Sequence, residues 1–192
     1  MPVPSPIIAL ETAKSVQQFE QILKLQKSNH RDSLSPAQQI AEGFVYAQYN
    51  LHTLQQLSEF EAQIIATDGK KVIGYNLAIS TQLVSKLPDL KSMFYAFDQT
   101  TYQGRLLRTY SYVVGGQVCV DKGYRGQGLL RRMYNEMKTL GNGRYELCVT
   151  DVSQRNTRSL QAHLNIGFVV AGTYEHDGEI WHTVVWDWKK QR

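Results

Sequence analysis

Long apolar runs are missing from this chain. No stretch approaches the ~20 residues that a helix needs to cross a bilayer, so no membrane partner is expected. Cysteine is scarce. The two present, Cys119 and Cys148, lie in segments that read as strands, so buried free thiols fit better than a disulfide frame. A reducing, cytoplasmic setting agrees with that usage. The N-terminal Met1-Pro-Val-Pro-Ser-Pro6 lacks the basic start and apolar stretch of a secretory leader. The five histidines are scattered and form no His-Glu-x-x-His, so no metal is expected. There is no Gly-x-x-x-x-Gly-Lys-Ser/Thr, which argues against a nucleotide P-loop, and no internal repeat.

What is present suits one soluble domain spanning residues 1–192. The composition is 42% hydrophobic and 20% charged, and the length is enough for a full core. The net charge is +4 and the pI about 9.0. Apart from Arg131-Arg132 and the tail Lys189-Lys190-Gln-Arg192, the basic excess is spread along the chain. A nucleic-acid binder concentrates it on one face, so no nucleic acid is expected.

The stretch from Val118 to Lys138 organises the rest. Gln117 to Val120 is β-branched and has no helical period. Glycines follow at 123, 126 and 128. From Leu129 apolar residues recur at helical spacing, through Leu130, Met133, Tyr134, Met137 and Leu140, and Gly141 and Gly143 are expected to stop the helix. A glycine turn feeding a helix N-terminus is an anion site, because the first helical N–H groups have no partner and the macrodipole is positive there. Arg125, Arg131 and Arg132 add charge nearby. The glycine order is not that of a dinucleotide fold.

Arg125-Gly126-Gln127-Gly128-Leu129-Leu130, after Val118-Cys119-Val120, resembles the acyl-CoA loop of the GCN5-related N-acetyltransferase (GNAT) superfamily. That loop is Arg/Gln-x-x-Gly-x-Gly/Ala, and Leu130 departs from it at the last small position. A second match lies 30 residues on. Family members carry an asparagine, a short helix, an aromatic or polar residue seven positions later, and Gly-Phe at eleven and twelve. Asn156, His163, Gly167 and Phe168 stand at those spacings. The resemblance implies an α/β (α+β) GNAT fold, a mixed central sheet of six to seven strands with helices on both faces, and an acetyl-CoA core over about 111–188.

Element order agrees. Ile7 to Leu10 reads as a strand and Val16 to Lys27 as an amphipathic helix. Ser35-Pro36 starts a helix expected to run through Ile40 and Phe44 to Ala47, with a short one over Leu51 to Leu57. Glu61–Thr67 and Lys71–Ile79 read as a hairpin turning at Asp68-Gly69. The segment from Thr81 to Tyr110 is too long for a bare loop, so a helix and an acceptor-side lid are expected there. Arg105 to Val120 reads as one long strand with a bulge at Gly115-Gly116, and Arg144 to Thr150 as the next strand. Val169–Tyr174 and Ile180–Trp188 form a closing hairpin around His176-Asp-Gly178.

The chemistry that the resemblance implies is transfer of an acetyl group from acetyl-CoA, a co-substrate, to a primary amine on a small molecule or peptide. Amides from Arg125 to Leu130 hold the pyrophosphate. The backbone at Val118 and Val120 pairs with the pantetheine arm, and the Val118 N–H polarises the thioester. Asn156 bonds the arm or caps a helix. His163 stands where many relatives have an acid tyrosine, and is either that acid or a satisfied helix histidine. Asp121, Glu146, Asp151 and Glu175 are all candidates for the base; Gln117 is not. Gln26, Asn29 and His30 are candidates for the substrate wall, or polar residues at a frayed helix end. Cys119 is core or, less favoured, an acyl acceptor. A homodimer through a sheet edge is common in the superfamily. The alternative to an enzyme is a non-catalytic acyl-CoA-binding module of the same fold.

Overall fold

The computed structural model describes residues 8–189. The expected leader-free start, the strand start at Ile7 and the tail beyond Lys189 lie outside the described residues.

Strand β1 (Ile8–Thr12) is followed by helix α1 (Val16–Asn29). Ser15 and Gln18 form a reciprocal capping box at its start. A single 3₁₀ turn (Arg31–Ser33) leads to α2 (Pro36–Glu42), also opened by a capping box. The helix does not run on to Ala47 as its apolar pattern suggests. Gly43, at φ 73°, ends it, and residues 43–50 are irregular apart from Val45, which is bridged to His30. Helix α3 (Leu51–Phe60) precedes the hairpin of β2 (Ile64–Asp68) and β3 (Lys71–Ile79). Two 3₁₀ turns (Thr81–Lys86, Pro88–Leu90) and α4 (Lys91–Gln99) fill the long connection, confirming the expected helix.

The expected long strand from Arg105 is broken. β4 (Thr101–Tyr102) and β5 (Arg105–Leu106) form a separate ribbon turning at Gly104, and β6 begins only at Tyr112 and runs to Val120. Then come a 3₁₀ turn (Lys122–Tyr124), α5 (Leu129–Gly141), β7 (Leu147–Ser153), α6 (Thr157–Ile166), β8 (Val169–His176) and β9 (Glu179–Asp187). β7 starts and ends three residues later than its alternation suggests. Gly141 is the last helical residue rather than the stop. Trp188 packs so closely that a Cβ at Gly141 would lie 2.7 Å from its ring.

Seven strands form one sheet in the order β1-β2-β3-β6-β7-β9-β8. All neighbours are antiparallel except β6 and β7. Alternation gives the sheet two buried faces. Tyr75, Leu77, Ile79, Val114 and Val149 pack with Phe19 and Ile22 of α1, Leu54 and Leu57 of α3 and Phe94 and Phe97 of α4. Ile73, Ala78, Val113 and Cys148 pack with Met133, Tyr134 and Met137 of α5 and Ile166 of α6. Helices on both faces of a mixed seven-stranded sheet are the architecture that the sequence led us to expect.

The feature that positions the site is the short β6–β7 ladder. It joins Tyr112 to Leu147, Val113 to Cys148 and Val114 to Val149, although β6 and β7 extend well beyond. The bulge expected at Gly115-Gly116 sits where the ladder ends: Leu77 pairs with Gln117 and Ala78 with Gly115, leaving Gly116 over. A Cβ on Gly116 would lie 2.2 Å from the Ile79 Cδ1. The Thr150 hydroxyl donates to the Gly115 carbonyl (2.5 Å) across the start of the gap.

Candidate active site

Beyond Gly115 the gap between β6 and β7 is lined by backbone. The Asp121 N–H donates to the Ile73 carbonyl (2.8 Å), on the β3 side. By the two-residue period, Val118 and Val120 turn their N–H and C=O groups the other way, into the gap. Arg125 Nε donates to the Val120 carbonyl (3.0 Å), which leaves the Val118 N–H and C=O and the Val120 N–H facing the groove.

Gly126 (φ 79°) and Gly128 (φ 72°) are both left-handed, and Gly128 is the N-cap of α5 without any side-chain cap. An ideal Cβ on either would meet nothing within 4 Å, so the loop surface is open. The amides of Leu129, Leu130 and Arg131 have no i−4 carbonyl, and the α5 dipole adds to their positive field. Leu129 is buried against Met133, and Gln127 is exposed. A groove of about 230 Å³ runs along this surface, lined among others by Val118, Val120, Gly126, Gly128, Leu130 and His163.

The three arginines expected to supply charge are engaged with the protein. Arg125 also donates to the Glu42 carbonyl (3.1 Å) and Asn29 Oδ1 (2.7 Å). It clamps the loop to the ends of α1 and α2. Arg131 bonds the Asn165 and Ile166 carbonyls at the end of α6, and Arg132 the Ile8 carbonyl.

Asn156 caps α6: its Oδ1 accepts from the Ser159 N–H (3.3 Å) and its Nδ2 donates to the Phe44 carbonyl (2.7 Å). It is 6% exposed and holds the 43–45 segment of the groove wall. His163, 3% exposed, lies two turns further along α6. Its Nδ1 is 2.8 Å from the Ser159 carbonyl, which can only accept, so Nδ1 carries the proton. Nε2 then accepts from the Tyr134 hydroxyl at 2.9 Å. Burial pushes the imidazole pKa down, which keeps it neutral. Burial also raises the Tyr134 phenol well above its usual range. The proton shared by this pair therefore sits on Tyr134. Tyr134 carries no separate sign of this role at the level of sequence, because it falls in the apolar stripe of α5.

A second cavity, about 920 Å³, opens on the α3 side and shares Phe44, Val45, Val118, Ser159 and His163 with the groove. The two spaces meet at Val118 and His163. Residues 86–93 line it, as a lid would, while Phe94 and Phe97 behind them belong to the core. Of the four candidate bases only Asp151 is in it. Asp121 pairs with Lys71 (2.9 Å), Glu146 with Lys189 (2.5 Å) at the far end of β7, and Glu175 is exposed on β8. Burial lifts the Asp151 carboxyl to about 6, against a lowering hydrogen bond from the Tyr174 hydroxyl.

Gln26, Asn29 and His30 are not frayed. Gln26 bonds the Tyr49 backbone, Asn29 receives Arg125, and His30 Nε2 donates to the Tyr46 carbonyl (2.7 Å). Gln117 donates to the Ala47 carbonyl (2.9 Å) and accepts from Tyr75 (2.6 Å). Gln26, His30 and Gln117 shape the cavity through the 43–50 segment. Cys119 is buried, and its thiol is pushed up to about 12, the state of an inert core residue. Among the described residues no group of side chains could hold a metal ion, and no helix is long and apolar enough to cross a membrane.

No family model and no curated protein sequence matches the chain. Its backbone does match solved structures. The Arabidopsis thaliana NAA60 structure, in complex with acetyl-CoA, superposes with a TM-score of 0.63 at 14% identity, over 94% of this chain and 99% of that one. A chain of the NatC complex bound to Gag peptide and CoA matches at 0.62 and 13%, over 94% and 98%. A GNAT-family protein from Desulfovibrio desulfuricans matches at 0.63 and 12%, over 94% and 99%. The fold is that of the GCN5-related N-acetyltransferases.

Proposed function

We propose that the chain is a single-domain N-acetyltransferase, with an acetyl-CoA core over about 111–188, that moves an acetyl group from acetyl-CoA to a primary amine. The observation that carries this is the meeting, at Val118 and His163, of a groove with an open helix N-terminus and a second cavity with a buried carboxylate. The residues present fit coenzyme A: the amides of Gly126 to Leu130 suit a pyrophosphate, and the free Val118 and Val120 groups suit an extended amide arm. The bound thioester supplies an activated acetyl carbon. The Val118 N–H is aimed to polarise a carbonyl in the gap. Asn156 and Arg125 hold the wall and floor of the groove, Asn156 through Phe44 and Arg125 through Val120 and Asn29. Tyr134 Oη, oriented by neutral His163, stays protonated beside the junction and can serve there as a hydrogen-bond donor. The free buried thiols agree with a cytoplasmic protein.

Reaction in a ternary complex brings amine and thioester together without a second covalent carrier. A non-catalytic acyl-CoA-binding module is the second reading, and the neutral His163, with no proton on Nε2, is the observation that favours it. Thermal shift with acetyl-CoA tests both. Ligand at about 100 times its Kd adds roughly 2.7 kcal/mol, a rise of about 5–11 °C for this size. Gly128→Glu, which puts a carboxylate on the phosphate site, should lose that rise. Gly104→Glu, at a matching φ of 77° in the β4–β5 ribbon, carries similar backbone strain and should keep it. No rise in the wild type at millimolar acetyl-CoA overturns both readings. A rise without turnover of any amine in a panel selects the module.

A further inference from the structure

The open stretch of the β6–β7 seam has two ends. The outer end is the glycine loop at the start of α5, and the inner end is the bond from the Thr150 hydroxyl to the Gly115 carbonyl (2.5 Å). An arm anchored at the loop and paired first with Val120 and then with Val118 points its far end inward. Inward of Val118 the larger cavity is lined by Gly116, Gly115 and Thr150. This inner slot is short. Residues 116 and 117 separate the Val118 N–H from the Gly115 carbonyl, at most about 7 Å of strand, and the bulge at Gly116 shortens it. It is also walled. Thr150, itself buried, closes it across the seam, and behind Thr150 the ladder resumes at Val114 and Val149. On the α5 face an ideal Cβ on Gly115 would lie 3.0 Å from the Tyr134 hydroxyl. On the opposite face a Cβ on Gly116 would overlap the buried Ile79 side chain. The two glycines therefore do not open the slot. They let Tyr134 and Ile79 advance to its edge.

We propose that Thr150 and Ile79 set the length of the acyl group on the donor, and that the protein takes acetyl- and propionyl-CoA but excludes butyryl-CoA and longer thioesters. The inference rests on the acetyl-CoA reading and deepens it by naming the donor range. A terminal methyl touching the inner wall stands about 4 Å from it. About 3 Å of carbon chain then fits between that methyl and the Val118 N–H, one or two C–C bonds at ~1.5 Å each. Acetyl and propionyl lie within this length, and butyryl exceeds it. The inner wall also has little polarity to offer, because the Thr150 hydroxyl is spent on Gly115 and Ile79 is apolar. An unbranched hydrocarbon end suits it.

The test is calorimetric titration of the intact protein, without acceptor, with CoA and with acetyl-, propionyl-, butyryl- and hexanoyl-CoA. Wild type should bind the two shortest thioesters within about threefold of each other. Butyryl- and hexanoyl-CoA should bind at least about tenfold more weakly, the scale on which one methylene is discriminated. Ile79→Ala removes bulk beneath Gly116, and Thr150→Ala removes it across the seam. Each should bring butyryl-CoA to within about threefold of acetyl-CoA while leaving the affinity for CoA itself unchanged. Circular dichroism confirms that each variant folds. Ile79→Val, a smaller cut, carries the same test with a partial gain where the alanine variant does not fold. Hexanoyl-CoA bound by wild type as tightly as acetyl-CoA, the sign of a chain that turns into the larger cavity, overturns the proposal. An unchanged ratio of butyryl- to acetyl-CoA affinity in the folded variants overturns it as well. Failure of the acetyl-CoA reading looks different: neither CoA nor any of the thioesters binds.

Discussion

Asn156→Ala separates packing from capping in the groove wall. Two bonds are lost. The Oδ1 cap on the Ser159 N–H is worth ~1 kcal/mol, and the buried bond from Nδ2 to the Phe44 carbonyl about another 1 kcal/mol. The sum of about 2 kcal/mol lowers Tm by about 4–8 °C for a domain of this size. Asn156→Asp is the informative partner. It keeps an acceptor for the cap and adds a negative charge at the positive end of α6, worth about 0.3–1 kcal/mol. It sets a second acceptor against the Phe44 carbonyl in a buried site, however, so it should melt no higher than alanine despite the better cap. Thermal melts of the three proteins measure the stability. A titration with acetyl-CoA then asks whether the freed 43–45 segment weakens binding, which both variants should show to a similar degree. If Asn156→Ala melts within about 1 °C of wild type, or if Asp melts as high as wild type, the double role assigned to Asn156 is wrong.

Three further outcomes are expected. The Asp151 carboxyl has a native pKa of about 6 against ~3.9 when unfolded. The native state therefore binds more protons between those values, and stability should fall as pH rises through that window, by roughly 3 kcal/mol at most; Asp151→Asn should flatten the profile and melt higher at neutral pH. Gly116→Ala drives a methyl into buried Ile79 and should cost about 1–3 kcal/mol by denaturant melt. Cys119 and Cys148, both buried with their thiol pKa values pushed up, should react with a disulfide reagent only at the rate of unfolding.

Much of the fold is legible locally. The capping boxes at Ser15 and Ser35, the Asp-Gly turns and the stripe of α5 are short-range signals, and they mark elements at nearly the right places. Boundaries failed where a distant partner decides them. Gly141 is glycine because Trp188 leaves no room for a Cβ, not because the helix stops there, and the ribbon of β4 and β5 takes Arg105 out of the strand that its residues suggest. The site divides in the same way. The glycine loop and Asn156 carry sequence signals because backbone geometry demands those residues. Asp151 was one acid among four, since its isolation from cations depends on β8 and the 43–50 segment, which meet it only in three dimensions. Tyr134 gave no signal because a tyrosine in an apolar stripe looks like packing until its hydroxyl finds His163.

The three-pair ladder between β6 and β7 makes the sheet two plates hinged at one corner. One plate carries β1, β2, β3 and β6, the other β7, β9 and β8. Past the Thr150–Gly115 bond the open part of the seam has no strand pairing to resist separation, so under tension the plates should tear there first. A chain of amides laid in that seam would act as a stitch, resisting shear between halves of the molecule that the backbone alone leaves loosely joined.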